Sequence, residues 1–221
     1  MMLRSSSLWL FPVMLTIIGF NSNTPKANAQ TTYQFNAIYD TVGTSDFDPS
    51  NPTAPEQVIF SGSSTDAPYG LTEFEALRYS QFDPATGTFV ITSDPTEIGL
   101  EDVLDGYIIL EGSNGDRLVG NYSGSGTVDF QNNTTTESYT FNITGGEGIF
   151  TGASGTLDAE AFNILPDDVG EPPNTFISQR SFSGSFQTPQ TTPESTSVVT
   201  LIGIGVGASF LLYQRHRKGI S

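Results

Sequence analysis

The chain has 221 residues, and its 24 Asp and Glu against eight Lys and Arg give a formal net charge of −16 at pH 7. This balance argues against nucleic-acid binding, which needs a basic surface to neutralise phosphates. There is no cysteine, and the single histidine, His216, lies close to the C-terminal end. Disulfides, thiolate metal sites, cysteine nucleophiles and histidine-based catalysis within the main domain are therefore excluded.

The first 29 residues are typical of a secretory signal peptide. Arg4 supplies the positive charge at the start, and Leu8–Phe20 is an apolar run of 13 residues, which is short for a membrane span. Ala27-Asn28-Ala29 then matches the small-x-small cleavage pattern. We predict cleavage between Ala29 and Gln30, and an uncleaved anchor helix is the alternative.

Residues 30–187 are the predicted main domain. Glu194 is the only acidic residue outside 30–192, and five of the eight basic residues lie outside it, so this part carries 23 acidic against three basic residues and a net charge of −20. It contains no lysine. Such a charge keeps a domain soluble and repels polyanions unless divalent cations bridge them.

The hydrophobic pattern of this domain is that of β-strands. Apolar residues alternate with polar ones, as in Tyr139-Thr140-Phe141-Asn142-Ile143, and turn signals such as Asn114-Gly115 come at short spacing. The pattern predicts eight or nine strands, near 32–41, 56–64, 72–82, 87–92, 105–112, 116–130 with a kink at Gly124, 136–143, 154–164 and 174–187. This number of mostly hairpin-linked strands favours an all-β antiparallel barrel of eight or nine strands, and a sandwich is the alternative.

The C-terminal end carries a second apolar segment. The 16 residues Val198–Tyr213 are apolar or small, and the basic stretch Gln214–Lys218 follows them. A membrane span usually needs about 17–25 such residues, and basic residues after the span favour a cytoplasmic C-terminus. We predict a transmembrane helix with a basic tail over 198–218, joined to the main domain by a linker with a sorting motif over 188–197.

The order of features at this end resembles a known sorting signal. Pro193-Glu194 precedes the apolar segment and arginines follow it, as in the PEP-CTERM proteins of Gram-negative bacteria and cyanobacteria. Ser195 stands where that pattern usually has a second proline. An ordinary single-span anchor is the alternative.

The PEP-CTERM resemblance implies partners and a location. The partners are the export machinery and an exosortase-type protease, with Pro193 and Glu194 as the sorting motif. The protein would be membrane-anchored through its C-terminal helix before processing, and then reach the cell surface or the extracellular space. A role alongside extracellular polysaccharide is also implied.

One glycine-rich segment resembles a barrel signature. Gly145–Thr156 reads GGEGIFTGASGT, which is similar to the GxGxFxGAxG signature of the allene-oxide-cyclase/dirigent-like barrels. The resemblance implies an eight-stranded antiparallel barrel, and no catalytic pattern of that family is matched here. We expect Gly146 and Gly148 to take positive φ in a tight turn, Phe150 to plug one barrel end, and Gly152 to allow close backbone packing. Without a lysine or a following helical pattern, a phosphate loop is not predicted.

Arg78 and Arg180 are the candidate ligand contacts. Arg180 shares a strand face with Phe182, and Arg78 shares one with Phe74. If these faces point into the barrel, both cations point there too, and a buried charge must be paired. We expect an Asp or Glu of a neighbouring strand as the partner. Two interpretations stay open: a structural ion pair at the barrel mouth, or contacts to an anionic or polar ligand in the lumen.

Two pairs of carboxylates suggest a different chemistry. Glu73 with Glu75, and Asp158 with Glu160, lie two residues apart on strands, so each pair points to one face with its members about 6.5–7 Å apart. Such a separation would suit an inverting glycoside hydrolase. A solvated strand face in an acid-rich chain is the alternative interpretation.

Acidic loops could in principle bind calcium. Asp46 with Asp48, and Asp167 with Asp168, supply hard oxygen ligands, but neither follows a calcium-binding repeat, so no metal site or cofactor is predicted. We interpret the chain as a non-enzymatic, exported protein of the cell envelope or extracellular matrix. A small-ligand-binding or isomerase-like barrel with a site in its lumen is the first alternative, and a carboxylate-dependent carbohydrate hydrolase is the second.

Overall fold

The computed structural model describes residues 30–166 and 172–190, which form nine strands and three short 3₁₀ helices. The strands are β1 (Gln30–Ser45), β2 (Pro55–Ser63), β3 (Glu73–Asp83), β4 (Thr88–Thr92), β5 (Tyr107–Glu111), β6 (Arg117–Asp129), β7 (Thr134–Glu147), β8 (Ser154–Ile164) and β9 (Asn174–Pro189). The 3₁₀ helices are Pro68–Gly70, Pro95–Ile98 and Gly148–Phe150. The predicted all-β class is confirmed.

The strands of the described residues pair antiparallel in one nine-stranded sheet that closes on itself. From β1 the neighbours run through β9, β8, β7 and β6, then through β4 to β3 and β2, and β2 pairs with β1 again. Eight strands therefore make a ring, with β5 as the ninth. One face of each strand points into this ring, so alternate residues of strands such as β1 and β7 are buried. β3 is an exception, because Leu77 and Tyr79 on its other face are buried as well, in a second cluster with Ile98.

One position of the ring is shared by two short strands. β4 pairs with the halves of β3 and β6 that lie nearest one end of the ring, and β5 pairs with the halves nearest the other end. β4 and β5 thus follow one another along the same gap, and residues 93–106 connect them. The Gly106 N–H donates to the Ser93 carbonyl over 2.7 Å, so the two ends of this connection are held together.

The glycine-rich segment differs in part from its prediction. β7 continues to Glu147, because Gly145 and Gly146 still pair with β6. Positive φ at Gly146 was therefore a wrong expectation, whereas Gly148 does take a φ of 64°. A Cβ on Gly146 would lie 2.5 Å from the Phe150 carbonyl oxygen, so glycine is needed there for space and not for a turn.

β6 carries a register irregularity that was not predicted. Its register with β7 shifts between Val119 and Gly120, and pairing is regular at Gly124. At Gly124 a Cβ would contact the β7 backbone, with the Tyr139 Cα at 2.6 Å. The glycine therefore permits close approach of two strands.

Aromatic rings close one end of the ring. Phe150 is fully buried, and its centroid lies 5.4 Å from those of Tyr33 and Phe186. Tyr33 also stacks on Phe186 at 5.1 Å and meets Tyr69 edge-on at 5.2 Å. Phe150 thus occupies the position expected for it, and this end is sealed by packed aromatic side chains.

Several sequence predictions fall outside the described residues. They are the signal peptide with Ala29, the sorting motif Pro193-Glu194, and the transmembrane helix over 198–218. Within 30–166 and 172–190, no helix is both long and apolar enough to cross a membrane. Gln30, the predicted first residue after cleavage, begins β1, and β9 extends to Pro189.

Candidate functional site

A buried ion cluster lies inside the ring. Arg78 on β3 and Arg180 on β9 both pair with the carboxylate of Glu137 on β7. The Arg180 Nη1 atom lies 3.1 Å from the Glu137 Oε2 atom, and Arg78 donates to the Oε1 atom. The Glu137 side chain is only 1 % exposed. The inward direction predicted for both arginines is confirmed.

The predicted partner of the arginines is found only in part. Glu56 on β2, the strand next to β3, raises the pKa of Arg78, but the carboxylate that forms ion pairs with both arginines lies elsewhere. We expected an acid on a neighbouring strand, but β7 pairs with neither β3 nor β9. Glu137 reaches Arg78 from across the ring, and it reaches Arg180 over β8. Closure of the sheet brings these side chains together, and no local sequence pattern encodes that.

Small residues make room for the cluster. Glu137 pairs with Ala161 of β8, and Ala161 pairs with Arg180 of β9, so the three lie in one row of the inner face. On the other side of Glu137 the row continues through Gly126, where a Cβ would collide with the ring of Phe89. A large side chain at Ala161 or Gly126 would occupy the space that a cluster member or its aromatic neighbour now fills.

Polar side chains complete the hydrogen bonding of the carboxylate. The Asn163 Nδ2 atom donates to Glu137 over 2.8 Å and to the Thr135 hydroxyl over 2.6 Å, while its Oδ1 atom accepts from Arg180 over 3.3 Å. The Arg180 guanidinium also lies 3.7 Å from the ring centroid of Phe60. Each buried charge is thus compensated by a partner of opposite charge, by amide groups or by an aromatic face.

The cluster fixes the charge states of its members. Burial by itself would raise the pKa of Glu137, but Arg78 and Arg180 outweigh it and lower this pKa to about 2. Burial would lower the pKa of Arg78, yet the carboxylates of Glu137 and Glu56 raise it above its ordinary value. The Glu137 carboxylate therefore stays ionised at any physiological pH.

A cavity of about 200 Å³ opens above the cluster, at the end of the ring opposite the aromatic seal. Its walls are apolar and largely aromatic: Phe47, Phe82, Phe89, Val128, Phe130, Leu165, Pro166 and Phe176. Its polar lining comprises Ser45, Glu56, Arg78, Asn133, Thr135, Glu137, Asn163 and Asn174. Below it the interior is nearly full, with a residual space of about 10 Å³ between Arg78 and Arg180.

The two predicted contact residues are placed differently in relation to this cavity. Arg78 lines it, and Arg180 lies beneath, in contact with the residual space. Glu137 and Asn163, which the sequence analysis did not single out, line the cavity as well. The sequence did contain a signal for Glu137. It lies two residues before Tyr139 on an alternating strand and therefore shares the inward face of Tyr139.

The carboxylate pairs lie away from the cavity. Glu73, Glu75, Asp158 and Glu160 are all exposed on the outer face of the ring. Glu75 accepts a hydrogen bond of 2.6 Å from Tyr107, and this bond raises the Tyr107 pKa to about 12. A wider depression of about 670 Å³, which includes Glu160, also lies on the outer face, and its lining mixes serine and threonine with apolar residues such as Ile38 and Phe162. It contains no cluster of charged groups comparable with the interior.

Among residues 30–166 and 172–190 there is no group of three or more Asp, Glu or His that could hold a metal ion. Asp46 and Asp48 lie on the loop between β1 and β2, and Asp167 and Asp168 are outside the described residues. No protein-family model matches this chain, and neither does any curated protein or solved structure.

Proposed function

We propose that this chain is an exported cell-envelope or extracellular protein whose ring of strands binds a small molecule in the open-end cavity. The observation that carries this proposal is the cavity itself. One end of the ring is sealed by aromatic packing, while the other end leaves about 200 Å³ above a polar floor. Apolar walls with a few convergent polar groups are what small-molecule sites in proteins typically have.

The size of the cavity limits the ligand. An engineered apolar cavity of about 150 Å³ holds benzene, so this one suits a molecule of one aromatic ring with a small substituent. The apolar body would pack against Phe82, Phe89 and Phe176. The hydroxyl of Thr135 accepts from Asn163 and keeps its own proton free to donate to a polar group on the ligand.

The residues at the floor of the cavity are better suited to binding a ligand than to transferring protons. Both oxygens of Glu137 already accept hydrogen bonds, and its pKa of about 2 makes it a poor base. The carboxylate pairs that suggested a hydrolase face outward and share no wall with the cavity. We therefore propose a binding protein, with the ring as an allene-oxide-cyclase-like barrel that is used as a container.

Export is proposed from the sequence of the two ends. The charged start, short apolar run and Ala27–Ala29 pattern support a signal peptide, and Pro193-Glu194 with the apolar segment and basic tail supports exosortase-type sorting. An acidic domain without cysteine is compatible with an exposed location. Extracellular polysaccharide remains a proposed neighbour through that sorting route.

Binding is tested with the full-length chain and benzyl alcohol as the probe, by ligand-observed NMR. We expect saturable binding that Phe130→Ser weakens several-fold, because Phe130 lines the cavity while its own exposure of 67 % makes the change tolerable for folding. The matched control is Phe162→Ser, an exposed phenylalanine of the outer face. Equal affinity of both variants and the native chain, or no saturable binding, would refute the site.

Export is tested by cell fractionation. We expect the mature chain to begin at Gln30, and we expect replacement of Arg215, Arg217 and Lys218 together by alanine to weaken retention of the tail, because the basic stop after the span is lost. A full-length cytoplasmic protein, or unchanged processing of that variant, would contradict the proposal.

A further inference from the structure

Aspartates flank the phenylalanines at the mouth of the cavity. Asp46 and Asp48 enclose Phe47 in the chain, Asp83 follows Phe82, and Asp129 precedes Phe130. The three phenylalanines line the cavity, and the four aspartates are exposed. The mouth is thus built from Phe-Asp neighbours on three separate connections of the ring.

Two aspartates of the mouth, Asp83 and Asp129, are held as anions. The Thr86 hydroxyl and the Ala85 N–H lower the pKa of Asp83. The side-chain amide of Asn132 and the Gln131 N–H lower the pKa of Asp129. These local hydrogen bonds fix the carboxylates in the turns and keep them ionised.

Asp48, in the loop between β1 and β2, follows the same pattern. The Ser50 side chain and N–H lower the pKa of Asp48. Asp46 accepts from the Gln57 N–H over 2.6 Å. The connections 46–54, 84–87 and 130–133 contain no Arg, Lys or His, so nothing in their sequence offsets the negative charge.

The charges inside the cavity do not cancel the negative potential of the mouth. Arg78 and Arg180 are balanced by Glu137 and Glu56, two cations against two anions. Glu56 pairs with Ser80, which is the next inward residue after Arg78 towards the open end, so Glu56 lies nearer the mouth than Arg78. A ligand that enters therefore meets carboxylates before it meets the guanidinium.

The aromatic walls suit a cation. Five phenylalanines line the cavity: Phe47, Phe82, Phe89, Phe130 and Phe176. The faces of aromatic rings attract cations within about 6 Å. Phe89 already does so at the floor, where the Arg78 guanidinium lies 5.8 Å from its centroid. Aromatic walls surrounded by carboxylates recognise the positive charge and the methyl surface of an organic ammonium group together.

From this arrangement we infer that the ligand of the open-end cavity is a small organic cation, of the substituted or quaternary ammonium class. The inference rests on the proposed binding function and adds its charge selectivity. The ammonium group lies at the level of Glu56 and the Phe-Asp mouth, and the rest of the ligand extends inward between Phe82, Phe89 and Phe176. Anions are rejected by the mouth carboxylates and by the net charge of the domain.

The test compares three probes of one shape and one number of non-hydrogen atoms: phenyltrimethylammonium, tert-butylbenzene and benzenesulfonate. Dissociation constants are measured by ligand-observed NMR with the full-length chain at low and high salt. We expect the cation to bind at least about tenfold more tightly than the neutral probe at low ionic strength, an advantage that shrinks in high salt because the mouth charges are exposed. We expect no saturable binding of the anion.

A charge variant of the mouth supplies the second arm. Asp46→Asn, Asp48→Asn, Asp83→Asn and Asp129→Asn together remove four charges, and each asparagine keeps one oxygen that can accept the backbone N–H bond of its turn. We expect the cation to lose most of its advantage over the neutral probe. The control removes four exposed charges elsewhere, through Glu73→Gln, Glu111→Gln, Asp158→Asn and Glu160→Gln. The control chain should retain the cation preference.

The outcomes separate the inference from the function on which it rests. Equal or tighter binding of the neutral probe, or tight binding of the anion, would overturn the cation inference and leave the cavity as a binding site. Failure of all three probes to bind would overturn both. If the mouth variant does not fold, the native chain still tests the inference. A cation preference that does not shrink in high salt would then overturn it.

Discussion

Arg180 and Glu137 form a 3.1 Å ion pair although their strands are not neighbours, because only the methyl group of Ala161 stands between them on the inner face. The row thus places a small residue where the two long side chains meet. The same device recurs on the far side of Glu137, at Gly126 beside Phe89. The ion cluster depends as much on the residues that leave room as on those that carry charge.

Ala161→Leu should therefore destabilise the protein by about 1–3 kcal/mol, the usual cost of overpacking a filled interior. The added branches would occupy the path between Arg180 and Glu137. Urea unfolding followed by circular dichroism measures the change, and Ala161→Ser, which is nearly the same size, should cost much less. Equal effects of both variants would show that the space is not filled as described.

Glu137→Gln should cost more, about 3–5 kcal/mol, because it removes the carboxylate that both buried guanidinium groups pair with and leaves Glu56 as the remaining countercharge near Arg78. Arg78 and Arg180 are both nearly inaccessible to water, so solvent cannot compensate. Glu160→Gln on the outer face is the control and should stay within about 0.5 kcal/mol of the native chain. A Glu137→Gln variant as stable as that control would refute the role of the cluster.

Acid should remove the contribution of this carboxylate. The folded pKa of Glu137 is lowered from 4.5 to about 2, so its stabilisation is complete above pH 4.5 and is lost as the pH falls towards 2. Urea midpoints of the native chain should fall in that window more steeply than those of Glu137→Gln, which cannot titrate at this position. Parallel pH profiles of the two chains would contradict the assignment.

Two glycines with similar backbone angles allow strain and collision to be separated. Gly148 has a φ of 64° and Gly115 a φ of 84°, but a Cβ on Gly148 would collide with the Asp116 carboxylate, while a Cβ on Gly115 would contact nothing within 4 Å. Gly115→Ala should cost about 1 kcal/mol from the left-handed conformation, and Gly148→Ala should cost clearly more. Comparable urea midpoints of the two variants would show that the Asp116 side chain moves aside to accommodate the new Cβ.

Much of the fold could be predicted from alternation together with the turn signals. The pattern placed all nine strands and turned Arg78 and Arg180 inward, because one polar face and one apolar face must alternate along any half-buried strand. Glu137 obeyed the same rule and was still overlooked, since an isolated acid in an acid-rich chain is usually read as surface. The partner strand could not be predicted, because it depends on closure of the whole ring.

The open cavity was beyond sequence reasoning for a different reason. Its walls come from residues distant in the chain, such as Phe47, Phe89 and Phe176, and from loops whose course no periodicity describes. Whether an end of the ring is sealed or open depends on a few side chains. Phe150 fills one end, and at the other end the described parts of the turns leave a cavity.

Because β4 and β5 share one position of the ring, a different short strand completes the ring at each of its two ends. Thr88–Thr92 holds the cavity end together, and Tyr107–Glu111 holds the aromatic end. A strand of five residues has few bonds to break, so the cavity end can open by local unfolding while the rest of the ring keeps its pairing. Backbone amides of β4 should then exchange with deuterium sooner than those of β7 and β8, and Phe89, which is carried by β4, would swing away from the cavity with each opening and leave a lateral passage into it.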